Sequence, residues 1–203
     1  MEFRLTYEGP IRATQRDSRP GQPSRHIENK HLIRVAFHKQ LRRLWSVVPA
    51  LQPQNGGFLT IGVPQRAITK EALAEKHHQY GFSFVPLVTQ ELDLLCSLEI
   101  LFLRPDRPGE LIWAGDIDNR LKTLLDAMRI PEPAEEYTSR QPAEDEEPFF
   151  CLLEDDKLIT RVSVETDRLL QPTSANSDAS DARIVVTVKV TPYSLNPSNH
   201  HLA

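Results

Sequence analysis

Residues 115–122 read Gly-Asp-Ile-Asp-Asn-Arg-Leu-Lys, placing Asp116 and Asp118 one residue apart where a helical pattern begins. From Asp118 onward, Leu121, Leu124, Leu125 and Met128 fall at helical spacing and predict one apolar stripe. Asp118, Lys122 and Asp126 share another face, four residues apart. A helix start carries unpaired N–H groups and partial positive charge, so a single acid there needs no further explanation. Two acids at i and i+2 repel, and a cation between them relieves the repulsion. A second acidic set, Glu154-Asp155-Asp156, stands ahead of an alternating stretch. Carboxylates from separate elements that meet at one point hold hard Mg²⁺ or Mn²⁺ ions, which keep waters for a substrate phosphate. Such an ion generates hydroxide and stabilises the charge of a phosphodiester displacement. Lys122, one turn past Asp118, offers an ammonium to the phosphate. The competing reading makes Asp118–Lys122 and Lys122–Asp126 ordinary i, i+4 ion pairs on a helix surface.

The elements that must position these groups follow from periodicity. Phe3, Leu5 and Tyr7 alternate with polar residues and predict a first strand. Residues 8–28 hold Gly9, Pro10, Pro20, Gly21 and Pro23 with Arg12, Arg16, Arg19 and Arg25, and predict a mobile basic loop. Residues 28–48 predict the best helix of the chain, with Ile33, Phe37, Leu41, Leu44 and Val48 as its apolar stripe. His31, Arg34, His38 and Arg42 form a basic stripe, either solvated or facing phosphate. Phe58 to Val63 predicts a strand, and Thr69 the cap of a short helix through Gln79. Phe82, Phe84 and Val85 are expected in the core. Residues 93–103 are apolar at both parities, which predicts a central strand covered on both faces. Residues 158–165 and 183–190 alternate and predict two further strands.

Composition bounds the alternatives. The chain has 203 residues, 39% of them hydrophobic, and no uncharged apolar run long enough to span a bilayer. Cys96 and Cys151 lack a Cys or His at metal spacing and read as buried thiols of a reducing, cytoplasmic protein. The net charge of −4 is unevenly spread: residues 1–50 hold ten Lys/Arg against four acids, and residues 131–156 hold ten acids against Arg140 alone. That division suggests a basic surface for a polyanion, or simply two solvated regions. Residues 131–148 are rich in proline and glutamate and predict an exposed, loosely held acidic insertion, available to a protein partner.

Other uses of Asp-x-Asp fit less well. A calcium loop needs Asp or Asn at the fifth position and Gly at the sixth, where this chain has Arg120 and Leu121. Phosphatases of the haloacid dehalogenase kind want Thr or Val where Arg120 stands, so chemistry on a small phosphate ester is the weakest option.

Asp116-Ile117-Asp118-Asn119, then Lys122, Asp126-Ala127 and a later acidic pair before a strand, resembles the RusA-like Holliday-junction resolvases. The resemblance covers about residues 94–190. It implies a small α/β (α+β) fold, a mixed β-sheet with helices packed on it, a homodimer, and Mg²⁺-dependent cleavage of branched DNA. It assigns the metal acids to Asp116, Asp118 and Asp156, with Asp155 beside them, and the catalytic lysine to Lys122. Arg12, Arg16, Arg19, Arg25, Arg34 and Arg42 are then expected to track the DNA backbone. The chain is longer than a minimal family member, so residues 1–203 are expected to form one nuclease domain. Its insertions fall at about 50–92 and 129–150, and a flexible tail covers 192–203. The alternative is a catalytically weak or inactive module of the same fold that binds DNA or protein.

Overall fold

The strands that alternate in sequence build a four-stranded sheet. β1 (Glu2–Pro10), β7 (Asp181–Pro192), β4 (Leu94–Arg104) and β6 (Ile159–Arg168) lie side by side in that order. β7 runs antiparallel to both its neighbours, and β6 runs parallel to β4. The computed structural model describes residues 1–12, 25–51, 69–105, 116–132, 141–171, 181–196 and 199–202, without the side chains of residues 25, 26, 116 and 201. The strand expected over Phe58 to Val63 lies outside the described residues.

Register puts Leu5 and Tyr7 beside Val186 and Ile184, and these beside Ile100 and Phe102, so all of them turn to one buried face. Two helices close over that face. α1 (Arg25–Val47) contributes Ile33, Phe37 and Leu41, and α3 (Asp116–Met128) contributes Leu124 and Met128, to the same cluster. Burying each such side chain is worth roughly 1.5–3 kcal/mol. β4 is central, as expected, but covered on one face only. On the other face Leu95, Leu101 and Leu103 are half-buried and Glu99 is exposed, because both long helices pack on one side.

A second, three-stranded sheet has the order β2 (His78–Gln79), β3 (Phe82–Val88), β5 (Phe149–Leu153). β3 and β5 are parallel, and every residue of β5 is buried. The two-residue link between β2 and β3, Tyr80-Gly81, has φ of 54° and 82°, the primed-turn conformation that matches strand twist. α2 (Lys70–Lys76) is capped by Thr69, whose Oγ1 accepts the Ala72 N–H at 3.2 Å. It stops at Lys76 rather than Gln79, because His77 and His78 are already paired to Phe84 and Ser83.

Part of the expected flexible tail, at Asn199 and Leu202, is docked instead. Leu202 is 2% exposed, and Asn199 donates to the carbonyls of Leu92 at 2.8 Å and Ser194 at 2.9 Å. The Met1 amine donates to the carbonyls of Val190 and Leu202 and ties the first strand to the chain's last turn.

Gly9 shapes the exit from β1. Its φ is +146°, and a Cβ there would stand 2.9 Å from the Tyr7 hydroxyl. That hydroxyl donates to the Pro10 carbonyl at 3.0 Å, and burial raises its pKa to about 12. Gly9→Ala therefore costs about 1–3 kcal/mol of stability, read as a lower urea midpoint with an unchanged m-value.

Candidate functional site

The Asp-x-Asp motif opens α3. Asp116 is the helix's first residue, and its side chain lies outside the described part. Asp118 and Lys122 are exposed, and among the described residues neither side chain has a hydrogen-bond or ion-pair partner. The ion pairs Asp118–Lys122 and Lys122–Asp126 do not form. Asp126 turns instead to Lys30 at 3.5 Å and Arg129 at 3.6 Å, and so ties α3 to α1.

A strap holds the start of α3 beside the exit of β1. Arg120 Nη1 donates to the Ile11 carbonyl, and Thr123 Oγ1 donates to the Arg12 carbonyl at 3.0 Å. The Arg12 N–H donates to Asn29 Oδ1 at 2.9 Å, and Asn29 Nδ2 donates to the Pro10 carbonyl at 2.7 Å. Thr123 and Asn29 were not singled out from sequence. Their signal was a small polar residue inside an apolar pattern, which when buried must find a partner.

The second acidic set meets the other end of α3. Ile130 N–H donates to the Leu153 carbonyl at 3.0 Å, so β5 delivers Glu154 and Asp155 to the helix's C-terminal end. There they line a cavity of about 400 Å³ with His77, Gln90, Ile130 and Glu132. A helix rises about 1.5 Å per residue, which puts Asp118 roughly 18 Å from Ile130. Asp155 caps a 3-10 turn, Asp156–Leu158, that intervenes before β6. Its Oδ1 accepts the Lys157 N–H at 2.9 Å and its Oδ2 accepts Lys157 Nζ at 3.3 Å. The backbone bond from Lys157 is the main cause holding this carboxyl below its usual range. Asp156 is exposed next to it. One chain thus places Asp118 and the Asp155–Asp156 pair at opposite ends of α3. No group of three or more His, Cys, Asp or Glu among the described residues is placed to hold a metal ion.

The basic face of α1 is largely internal. His31, Arg34 and His38 are buried, and Arg34 Nη2 donates to the Asp126 carbonyl at 2.9 Å, so Arg34 is a structural tie and not a DNA contact. His38 Nδ1 accepts the Phe150 N–H at 2.8 Å, and its Nε2 faces the Asp145 carbonyl at 2.8 Å, which fixes the proton on Nε2. Arg42 is exposed and donates to the same carbonyl at 3.1 Å. Glu146 is buried 3.7 Å from His31. The described end of the acidic insertion is therefore docked on α1 and not loose, and part of the basic charge is compensated by it. Arg12 is half-buried beside the strap, Arg25 is the first residue of α1, and Arg16 and Arg19 lie outside the described residues.

Burial lowers the pKa of His38 from 6.5, and that of His77 likewise. Below 6.5 the unfolded chain binds protons that the folded chain refuses, so stability is full above 6.5 and falls as pH drops through and below it. The loss is at most about 1.4 kcal/mol per pH unit per histidine. Urea midpoints should fall between pH 7.5 and 5.5, and fall less in His38→Gln.

No helix among the described residues is long and apolar enough to cross a membrane. Cys96 and Cys151 are buried free thiols, and burial raises the Cys96 pKa to about 12. Comparison with models of known protein families, with curated proteins and with solved structures finds no match.

Proposed function

We propose that this chain is a cytoplasmic, metal-dependent endodeoxyribonuclease acting on branched DNA, and that its site is completed between two copies. The observation that carries the reading is the start of α3, where Asp118 and Lys122 project into solvent with no internal partner among the described residues. A built strap of Arg120, Thr123 and Asn29 fixes that turn beside Arg12. Unpaired acid and ammonium on a rigid helix suit an external ion and an external phosphate better than they suit the fold.

Carboxylate oxygens fit Mg²⁺ or Mn²⁺, and Asp116, Asp118, Asp156 and Asp155 are the residues to hold it. When bound, the ion supplies an activated water and neutralises charge on the phosphodiester. Lys122 holds the scissile phosphate, and Arg12 and Arg42 approach the backbone. Because a single chain sets the two acidic groups at opposite ends of α3, a homodimer must bring Asp118 of one copy to Asp156 of the other.

The separation of the acids within one chain favours a second reading, a non-catalytic module that binds DNA or protein. Wild-type protein with Mg²⁺ or Mn²⁺ should nick four-way junctions in preference to linear duplex of the same sequence. Binding without cleavage under either ion supports the non-catalytic module and overturns the nuclease.

A further inference from the structure

β6 leaves an edge of the main sheet open. Nine of the ten residues from Ile159 to Arg168, all but Thr160, pair with β4 on one side, and among the described residues nothing pairs with the other. The opposite edge is treated differently. At β1 the Gln40 carboxamide accepts the Thr6 N–H at 2.9 Å and donates to the Thr6 carbonyl at 2.7 Å, plugging the ladder. Chains guard exposed edges with proline, lysine or bulges. β6 has no proline or lysine, its one register shift against β4 falls at its start, at Thr160, and beyond it Arg161, Val162, Ser163 and Glu165 are all exposed.

The strand's sequence is complementary to itself. Turned end for end about Ser163, Arg161 faces Glu165 of the partner subunit and Val162 faces Val164, each pair occurring twice. A shift of one residue in either direction sets Val162 against Glu165, or Arg161 against Val164. Arg161 and Glu165 have no ion-pair partner among the described residues. Four residues apart on one strand, they stand about 13 Å from each other and cannot pair within a chain.

We propose that two copies join edge to edge through β6, antiparallel and centred on Ser163, into one eight-stranded sheet. The surface rests on the open edge and its sequence, apart from the composite site proposed above. The two-fold axis reverses the partner, so the start of its β6 meets the finish of this one, at the same end of the sheet as the strap but at the edge opposite β1.

Sedimentation without DNA or metal tests the surface independently of any nuclease activity. Wild type should sediment as a dimer. Arg161→Glu and Glu165→Arg each create two like-charge pairs and should weaken the dimer by about tenfold or more. Mixing the two variants restores both opposite-charge pairs, so the mixture should form heterodimers, and the double exchange Arg161→Glu/Glu165→Arg should dimerise like wild type. The rescue separates a lost surface from a lost fold. A monomeric wild type, a dimer indifferent to both reversals, or a mixture that stays monomeric would each overturn the proposal. Protein that cuts junctions yet ignores the reversals overturns the surface alone.

Discussion

Asp118→Asn should abolish Mg²⁺-dependent nicking of a four-way junction, by about a thousandfold or more, while lowering stability by no more than about 1 kcal/mol. The two halves of that expectation have separate causes. Asp118 is exposed and among the described residues has no hydrogen-bond or ion-pair partner, so removing its charge costs only the favourable interaction of an acid with the first turn of α3, about 0.3–1 kcal/mol. A carboxylate that binds a dication contributes much of the ion's affinity, and an amide oxygen at the same point does not replace it. Lys122→Ala should cost less, about 10²-fold, because it removes phosphate stabilisation and spares the ion. Quantitative nicking assays over a range of Mg²⁺ concentration distinguish the two: excess ion partly rescues a weakened ion site and does not rescue a missing ammonium.

The largest stability effect is expected at Phe149. It is 1% exposed and is packed by His38 at a centroid distance of 4.5 Å, Phe84 at 5.7 Å and Phe82 at 6.0 Å. It therefore joins α1 to the smaller sheet. Phe149→Ala leaves a cavity that neither a helix nor a hydrogen-bonded strand can collapse, costing about 3–5 kcal/mol. Phe149→Leu keeps most of the volume and should lose about 1–2 kcal/mol. Chemical denaturation read by both fluorescence and circular dichroism measures each. Equal losses for the two variants would mean that the aromatic contacts, not the volume, hold this junction.

The elements built on long alternation were legible in the sequence. β1, β6, β7 and the stripe of α3 follow from which side chains recur at a period of 2 or 3.6. β4 was placed correctly in the centre of the sheet but credited with two covered faces, because apolar composition cannot say where the helices go. The basic stripe of α1 misled for a related reason. His31, Arg34 and His38 occupy polar positions of a helix whose other side meets α3 and the acidic insertion, so their partners come from chain 92 to 115 residues away. Pattern reading sees the charge and not the distant acceptor. The two acidic motifs were legible as motifs. Their separation was not, because it depends on which way α3 runs, and its direction carries Asp118 away from Glu154 and Asp155.

Mixing two inactive proteins tests the composite site most directly. Asp118→Asn and Asp156→Asn, each inactive alone, should recover about a quarter of the wild-type junction nicking when combined in equal amounts, since half the dimers are mixed and each carries one intact site. A mixture as inactive as its components, beside a wild type that cuts, would contradict the account.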